Sequence, residues 1–177
     1  MTSLAATVMA AGLGTRMRSA TPKHLHPLLG RRMVDWVLEA VRPLGADPLI
    51  VVVSEETRNE FRGETTAIQP EPRGTGDAVA AARTTLAGFE GDVLVLSGDS
   101  PLLTTAMLEQ VLETHRHERP AVTVLSYEPP GELPYGRIVR DGNGALEAIV
   151  EASDATPEQL AIRELNASLY VFSAPDL

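Results

Sequence analysis

A glycine-rich turn near the amino terminus carries the residues of this sequence most suited to chemistry. Residues 9–26 read MAAGLGTRMRSATPKHLH, so that Gly12 and Gly14 follow a short apolar run and precede Thr15, Arg16 and Lys23. Glycines let the backbone approach a ligand and turn its N–H groups inward. Two cations beyond such donors favour a polyphosphate. We therefore predict a phosphate-binding loop.

The spacing of this loop separates it from two common phosphate-binding motifs. It lacks the G-x-x-x-x-G-K-[ST] pattern, and Met17 stands where a G-x-G-x-x-G motif needs its third glycine. The alternative is a glycine-rich turn between a strand and a helix, with unrelated surface cations. The positions of Arg16 and Lys23 after the two glycines favour the phosphate-binding interpretation.

Two further polar positions follow apolar runs. Asp99 comes after residues 92–96, where a carboxylate opposite a phosphate loop is placed to hold Mg²⁺; the alternative is a cap of the next helix. Gln69 ends the run of residues 66–69, and its amide offers a donor and an acceptor to the edge of a pyrimidine. Gly74 and Thr75 then bring backbone close to a planar ligand, or simply open the next helix.

The elements that must position these residues alternate between strand and helix. Apolar runs at 4–9, 49–53, 66–69 and 92–96 predict buried strands, and apolar spacings of three and four predict helices over 34–41, 78–86 and 107–112. This alternation predicts an α/β protein of Rossmann-like type, with a mostly parallel mixed sheet and helices on both faces.

The pattern changes after residue 120. Short strands are predicted at 121–127, 137–140, 146–150 and 168–172, with Asp-Gly-Asn-Gly at 141–144 as a turn. We interpret 1–177 as one domain, with 1–120 binding a nucleotide and 121–177 beginning the part that binds the second substrate.

Composition excludes several classes of function. Of 177 residues, 24 are acidic and 15 basic, which gives a net charge of −9 and argues against nucleic acids or anionic membranes as partners. The absence of cysteine excludes disulfides and thiolate chemistry. No secretory signal or membrane-length apolar run is visible. The default expectation is a soluble cytoplasmic protein.

The segment Ala10–Gly30, AAGLGTRMRSATPKHLHPLLG, resembles the signature of the sugar nucleotidyltransferases, and its full form resembles the uridyltransferase domain of the bifunctional GlmU-type enzymes. Further matches follow in order over nearly the whole chain. They are Gln69 with Gly74-Thr75-Gly76, Ser97-Gly98-Asp99-Ser100-Pro101-Leu102, Tyr135-Gly136-Arg137-Ile138, Ile149-Val150-Glu151 with Asp154-Ala155-Thr156, and Glu164-Leu165-Asn166.

The resemblance implies transfer of uridylyl from UTP to N-acetylglucosamine 1-phosphate, a step of cell wall precursor biosynthesis, with Mg²⁺ as cofactor. Arg16 and Lys23 would be catalytic and Asp99 the metal ligand. It also implies contacts to the nucleotide and to the sugar. The nucleotide contacts are Ala10, Ala11, Gly12, Gly14, Thr15, Gln69, Gly74 and Thr75, and the sugar contacts are Gly136, Glu151 and Asn166.

The sequence also departs from the family pattern. Asp77 stands where histidine is usual and could help the helix N-terminus, Ser97 replaces a frequent tyrosine, and Asn166-Ala167-Ser168 replaces Asn-[Thr/Ser]-Gly. The resemblance further implies helices, a strand and a later Asn metal ligand beyond residue 177. We therefore expect a C-terminally truncated domain without the left-handed β-helix, and an apolar edge that favours a homo-oligomer.

Two alternatives remain at this point. One is a nucleotidyltransferase for another sugar phosphate, a polyol phosphate or a molybdopterin-type acceptor, the last of which Glu151 and Asn166 argue against. The other is a truncated protein that binds nucleotide with little turnover.

Overall fold

Four apolar segments form a parallel sheet in the computed structural model of the chain, which describes residues 2–12, 14, 17–71 and 73–177. The strands are β1 (Leu4–Ala10), β4 (Leu49–Val53), β5 (Thr65–Ile68) and β6 (Asp92–Ser97), in the order β5-β4-β1-β6. All neighbouring pairs in this order are parallel. Their carboxyl ends therefore meet at one edge, where ligands of open α/β sheets bind.

Helices cover both faces of this sheet. One face packs on helix α2 (Thr75–Ala81), because Ile50 and Val52 share an apolar cluster with Ala78. Val51 and Val53 alternate with them and are also fully buried, so the opposite face is covered too. Helix α1 (Met33–Val41) contacts β1 and also helix α3 (Thr105–Glu118). The predicted α/β fold, with a mostly parallel sheet between helices, is confirmed.

Smaller elements complete the first half of the chain. Strands β2 (Pro27–Leu28) and β3 (Arg31–Arg32) pair antiparallel as a separate ribbon. Short 3₁₀ turns span Lys23–Leu25, Arg42–Leu44 and Arg58–Phe61. The first of these turns carries one of the predicted site residues.

The second half of the chain is built from antiparallel pairs. Its elements are β7 (Val122–Tyr127), β8 (Arg137–Arg140), β9 (Leu146–Val150), α4 (Pro157–Leu160), β10 (Leu165–Ser173) and a 3₁₀ turn at Ala174–Asp176. Strand β8 pairs with β9 and with β10. The predicted turn at 141–144 is present, because the Asp141 carboxylate accepts hydrogen bonds from the backbone of Asn143 and Ala145.

Two compact units can be distinguished. The first comprises Met1–Thr123 and Tyr170–Leu177, and the second comprises Val124–Leu169. Strand β10 contributes its first residues to the second unit and its last residues to the first.

One predicted helix is shorter than its apolar pattern indicated. The prediction extended it through Leu86, but α2 ends at Ala81. The following residues form successive tight turns, with bonds from Arg83 N to Ala80 O and from Phe89 N to Leu86 O. Two adjacent β-branched threonines at 84 and 85 disfavour α-helix here. Successive turns with hydrogen bonds between residues three apart bring apolar side chains to one side of the chain, much as an α-helix does. The apolar spacing therefore did not distinguish the two.

The first unit also contains an open apolar groove of about 790 Å³. Tyr170 and Phe172 line it together with Val79, Leu86 and Phe89. No helix among the described residues is long and apolar enough to cross a membrane.

Candidate functional site

The loop after β1 requires glycine because another segment passes very close to it. Gly14 has φ +63°, in the left-handed region that favours glycine. A Cβ atom built on Gly14 would lie 2.5 Å from the Lys23 Cβ and 3.1 Å from the Lys23 backbone nitrogen. The loop therefore packs directly on the turn that carries Lys23. Thr15 and Arg16, predicted for this loop, lie outside the described residues.

Lys23 and Asp99 meet at the carboxyl edge of the parallel sheet. The Lys23 Nζ atom lies 2.7 Å from the Asp99 Oδ2 atom, and both side chains are partly exposed, at 38% and 29%. Lys23 is the only lysine of the sequence. Asp99 follows β6, and a hydrogen bond from Gly98 N to Met9 O ties this loop to the end of β1. Two residues 76 positions apart in sequence thus share one site.

The Asp99 carboxylate is held charged by its neighbours. Burial alone raises the pKa of Asp99, but hydrogen bonds from Lys23 and Ser97 and the charge of Lys23 outweigh it and leave this pKa below its usual value. The Ser97 hydroxyl donates to Asp99 Oδ1 at 2.6 Å, while Lys23 occupies the other oxygen. Asp99 does not cap the next helix, because the Thr104 hydroxyl accepts the capping bond of α3.

The donor set around Asp99 fits magnesium in one way only. No group of three or more His, Cys, Asp or Glu side chains suited to a metal occurs among the described residues. Magnesium in phosphoryl-transfer sites is usually held by one or two carboxylates together with phosphate oxygens and waters. Asp99 can supply such a carboxylate, so the site fits a metal that arrives with a polyphosphate.

His24 is buried beneath this loop as a neutral side chain. Burial lowers the pKa of His24 to about 4, the charge of Arg32 acts in the same direction, and Asp99 and a hydrogen bond to the Gly12 backbone oppose it. The ring lies 6.0 Å from that of Phe61, and its Nε2 atom is buried without a hydrogen-bond partner among the described residues. His24 therefore links the loop after β1 to the core of the first unit.

Gln69 lies just past the end of β5, in the first unit. Its backbone N–H donates to Val53 O at 2.9 Å, and the residue is buried. Its side-chain Nε2 donates to Asp77 Oδ2 at 2.7 Å and to Gly74 O at 3.3 Å. Gly74 has φ +115°, which requires glycine before α2. The predicted base-reading residues Gln69 and Gly74 are therefore in contact.

The three predicted sugar contacts converge within the second unit. A Cβ on Gly136 would lie 3.3 Å from the Glu151 Oε1 atom, so the carboxylate passes directly over the glycine backbone. Asn166 N donates to Gly136 O at 2.9 Å, and Asn166 is itself buried. Antiparallel pairing of β8 with β9 and β10 produces this convergence.

The departure from the family pattern at residue 168 has a structural consequence. Ser168 has φ +55°, a conformation that favours glycine and is unusual for serine. Its backbone N–H donates to the Asn166 side-chain Oδ1 at 3.0 Å. The turn of the backbone at Ser168 thus orients the Asn166 amide.

The remaining predicted residues lie beside these contacts. Ala10 and Ala11 are buried at the end of β1, and Thr75 begins α2. Sequence reasoning gave no role to Ser97, although its spacing of two residues from Asp99 at a strand end was a usable signal. It assigned Asp77 only to the helix N-terminus, because the contact with Gln69 spans eight residues and depends on the loop between them.

The sequence of this chain is similar to those of known proteins. A family model described as the MobA-like NTP transferase domain matches residues 6–166. The bifunctional protein GlmU of Pelobacter propionicus is 46% identical over 180 residues, which cover 98% of this chain and 39% of that protein. The bifunctional protein GlmU of Paramagnetospirillum magneticum is 49% identical over 162 residues, with coverage of 88% and 35%.

A third relative, the bifunctional protein GlmU of Streptomyces avermitilis, is 46% identical over 177 residues, with coverage of 95% and 37%. The chain therefore spans less than two fifths of the length of these relatives. The matches confirm the resemblance that the motifs between residues 10 and 166 indicated.

Proposed function

The chain belongs to the family of MobA-like NTP transferase domains, and from that premise we propose that it transfers uridylyl from UTP to N-acetylglucosamine 1-phosphate. The products would be UDP-N-acetylglucosamine and pyrophosphate. The first unit would bind the nucleotide and the second the sugar phosphate.

The observation that carries this proposal is the ion pair between Lys23 and Asp99 beside Gly14. It places one cation and one anion at the carboxyl edge of a parallel sheet, near the loop after β1, in which a Cβ on Gly12 would meet nothing within 4 Å. A nucleoside triphosphate with Mg²⁺ brings the complementary pair of charges. Phosphate oxygens suit Lys23, and the metal suits Asp99.

The proposed reaction needs no covalent bond to the protein. A phosphate oxygen of the sugar 1-phosphate attacks the α-phosphorus of UTP in line, and the bond from that phosphorus to the β-phosphate bridging oxygen breaks. Pyrophosphate leaves with the electron pair. Lys23 stabilises charge at the α-phosphoryl group, Arg16 the β- and γ-phosphates, and Gly12 and Gly14 offer backbone N–H donors.

Asp99 would hold the magnesium ion, oriented by the Ser97 hydroxyl. The metal supplies neutralisation of the charge on the polyphosphate when bound. The depressed pKa of Asp99 keeps this ligand deprotonated well below neutral pH.

The second unit supports an acceptor rich in hydroxyl and amide groups. The Glu151 carboxylate can accept from sugar hydroxyls, and Asn166, whose backbone N–H donates to the Gly136 carbonyl oxygen, can do so through its side-chain amide. None of these three residues is cationic, so they suit the neutral part of an amino sugar better than its phosphate.

Pyrophosphate release with UTP and a panel of acceptors tests the proposal. We expect the highest kcat/KM with N-acetylglucosamine 1-phosphate, lower values with glucose 1-phosphate, and none with a polyol phosphate. Lys23→Met should lower kcat by at least 100-fold, since it removes a charge that acts in the transition state.

Arg58→Met is the matched control, because Arg58 is an exposed cation 3.7 Å from Glu55. Equal loss in both variants, or a preference for another acceptor, would contradict the proposed roles. Nucleotide binding without any turnover would support the alternative of a binding protein.

A further inference from the structure

We propose that Asp77 determines base specificity by fixing the side-chain amide of Gln69 in one orientation, so that an oxygen acceptor faces the base and uracil is selected over cytosine. Asp77 acts through Gln69 and is a positioning residue. The inference rests on the proposed uridine nucleotide site and assigns a role within it.

The orientation of the Gln69 amide follows from its two partners. Asp77 Oδ2 lies 2.7 Å from one terminal atom of the amide, and Gly74 O lies 3.3 Å from the same atom. A carboxylate oxygen and a carbonyl oxygen can only accept hydrogen bonds. The atom facing both must therefore be the NH₂ group, and both of its hydrogens are engaged.

The oxygen of the amide is then the atom left for a ligand. Gln69 is only 4% exposed, and its backbone is fixed to Val53, so the side chain starts from a defined position. Reversing the amide would point its oxygen at a carboxylate and a carbonyl, which is repulsive. Asp77 supplies the shorter of the two contacts and the only charged one.

A fixed acceptor distinguishes the two pyrimidines at ring position 3. Uracil carries an N–H donor there, whereas cytosine carries a bare nitrogen that accepts. A glutamine free to rotate could meet either base, because its amide offers a donor on one side and an acceptor on the other. A glutamine held by Asp77 can meet only uracil, and cytosine would leave two acceptors facing each other.

The residue type at position 77 restricts the Gln69 amide to a single orientation. The family pattern usually has histidine at this position, and a neutral imidazole can donate or accept through different nitrogens. An aspartate carboxylate offers only acceptors. Asp77, which the sequence suggested only as an acidic residue at a helix N-terminus, is therefore the partner that determines the orientation of the Gln69 amide.

The test compares the ratio of affinities for UTP and CTP in the wild-type chain and in Asp77→Asn, measured by calorimetry with Mg²⁺. Asparagine keeps the size of the side chain but can pair with Gln69 in either orientation. We expect the UTP:CTP ratio to fall at least tenfold, with CTP binding improved, while the melting temperature changes little. The same ratio from kcat/KM should fall in parallel.

Glu71→Gln is the matched control, because Glu71 is an exposed carboxylate of the same loop that pairs with Arg73. Its UTP:CTP ratio should equal that of the wild type. If Asp77→Asn does not fold, Asp77→Ser makes the same comparison with a smaller side chain.

The outcomes separate the two proposals. A wild-type preference for UTP that survives Asp77→Asn unchanged would overturn the role of Asp77 alone. A wild-type chain that binds UTP and CTP equally would overturn the uridine assignment and, with it, the base for this inference. A drop in the ratio specific to position 77 supports both.

Discussion

Lys23 owes its position to a neighbour that has no functional group. Gly14 leaves room for the Lys23 backbone and side chain, and even a methyl group would collide with both. Asp99 then pairs with the Lys23 ammonium group at 2.7 Å. Gly14 thus determines where Lys23 lies, and Asp99 supplies the charge that pairs with it.

This arrangement predicts a large effect for Gly14→Ala. The substitution adds strain at φ +63° and a clash with Lys23, so we expect the proposed uridylyl transfer to fall by at least 100-fold and the free energy of unfolding to fall by about 2 kcal/mol or more. Gly45→Ala is the control, because Gly45 has φ +68° and open space around it. It should lose about 1 kcal/mol and retain activity; equal effects in both variants would refute the close-packing argument.

The buried His24 predicts a pH-dependent stability. Its pKa is about 4 in the folded protein and near the ordinary 6.5 in the unfolded chain, so between these values the unfolded state binds more protons. The contribution of neutral His24 is fully present above pH 6.5 and is lost as the pH falls toward 4, by about 3 kcal/mol at most.

Urea unfolding between pH 7 and pH 4 measures this effect. His24→Phe keeps a ring against Phe61 and should flatten the pH dependence. Some slope will remain, because burial and Arg116 also lower the pKa of His115, against the effect of Asp92. An identical slope in wild type and His24→Phe would show that His24 is not buried as a neutral residue.

Strand β10 contains one residue in an unfavourable backbone conformation. Ser168 adopts φ +55°, where the Cβ of an L-residue costs about 1 kcal/mol. We therefore expect Ser168→Gly to stabilise the protein by about that amount and to keep the bond to Asn166, which comes from the backbone. Thermal unfolding measures the change.

Ala167→Gly in the same strand is the matched control for this prediction. Residue 167 does not share the positive φ, so glycine there only adds freedom to the unfolded chain and should destabilise by roughly 0.5–1 kcal/mol. Opposite signs for the two substitutions confirm the strain at Ser168. Destabilisation by both would contradict it.

The elements were predictable where apolar residues run without interruption. Residues 49–53, 137–140 and 146–150 form strands with the predicted bounds, because continuous or alternating apolar patterns have one stable solution in a sheet. The predicted end of helix α2 was wrong, because the tight turns after Ala81 reproduce the apolar spacing of a helix. Periodicity describes which side chains are buried, not how the backbone between them winds.

The candidate site was predictable from the sequence only where the ends of strands define it. The loops after β1 and β6 were expected at one edge of the sheet, and Lys23 and Asp99 lie there together. The contact of Asp77 with Gln69 and the left-handed Ser168 were not predictable, because both depend on loop conformations that no periodicity encodes. Local sequence patterns predict where the strands and their ends lie, whereas tertiary contacts determine the orientation of each polar group.

Binding of the phosphates of a uridine nucleotide at Lys23 can be measured through the chemistry of this side chain. Since Lys23 is the only lysine, an acylating reagent modifies this one side chain and the α-amino group, which serves as internal reference. The rate of Lys23 acylation is followed by mass spectrometry with and without UTP and Mg²⁺. We predict that UTP slows it at least tenfold relative to the α-amino group, and that ATP at the same concentration does so far less. An acylation rate unchanged by saturating UTP would show that the phosphates of UTP do not bind at Lys23.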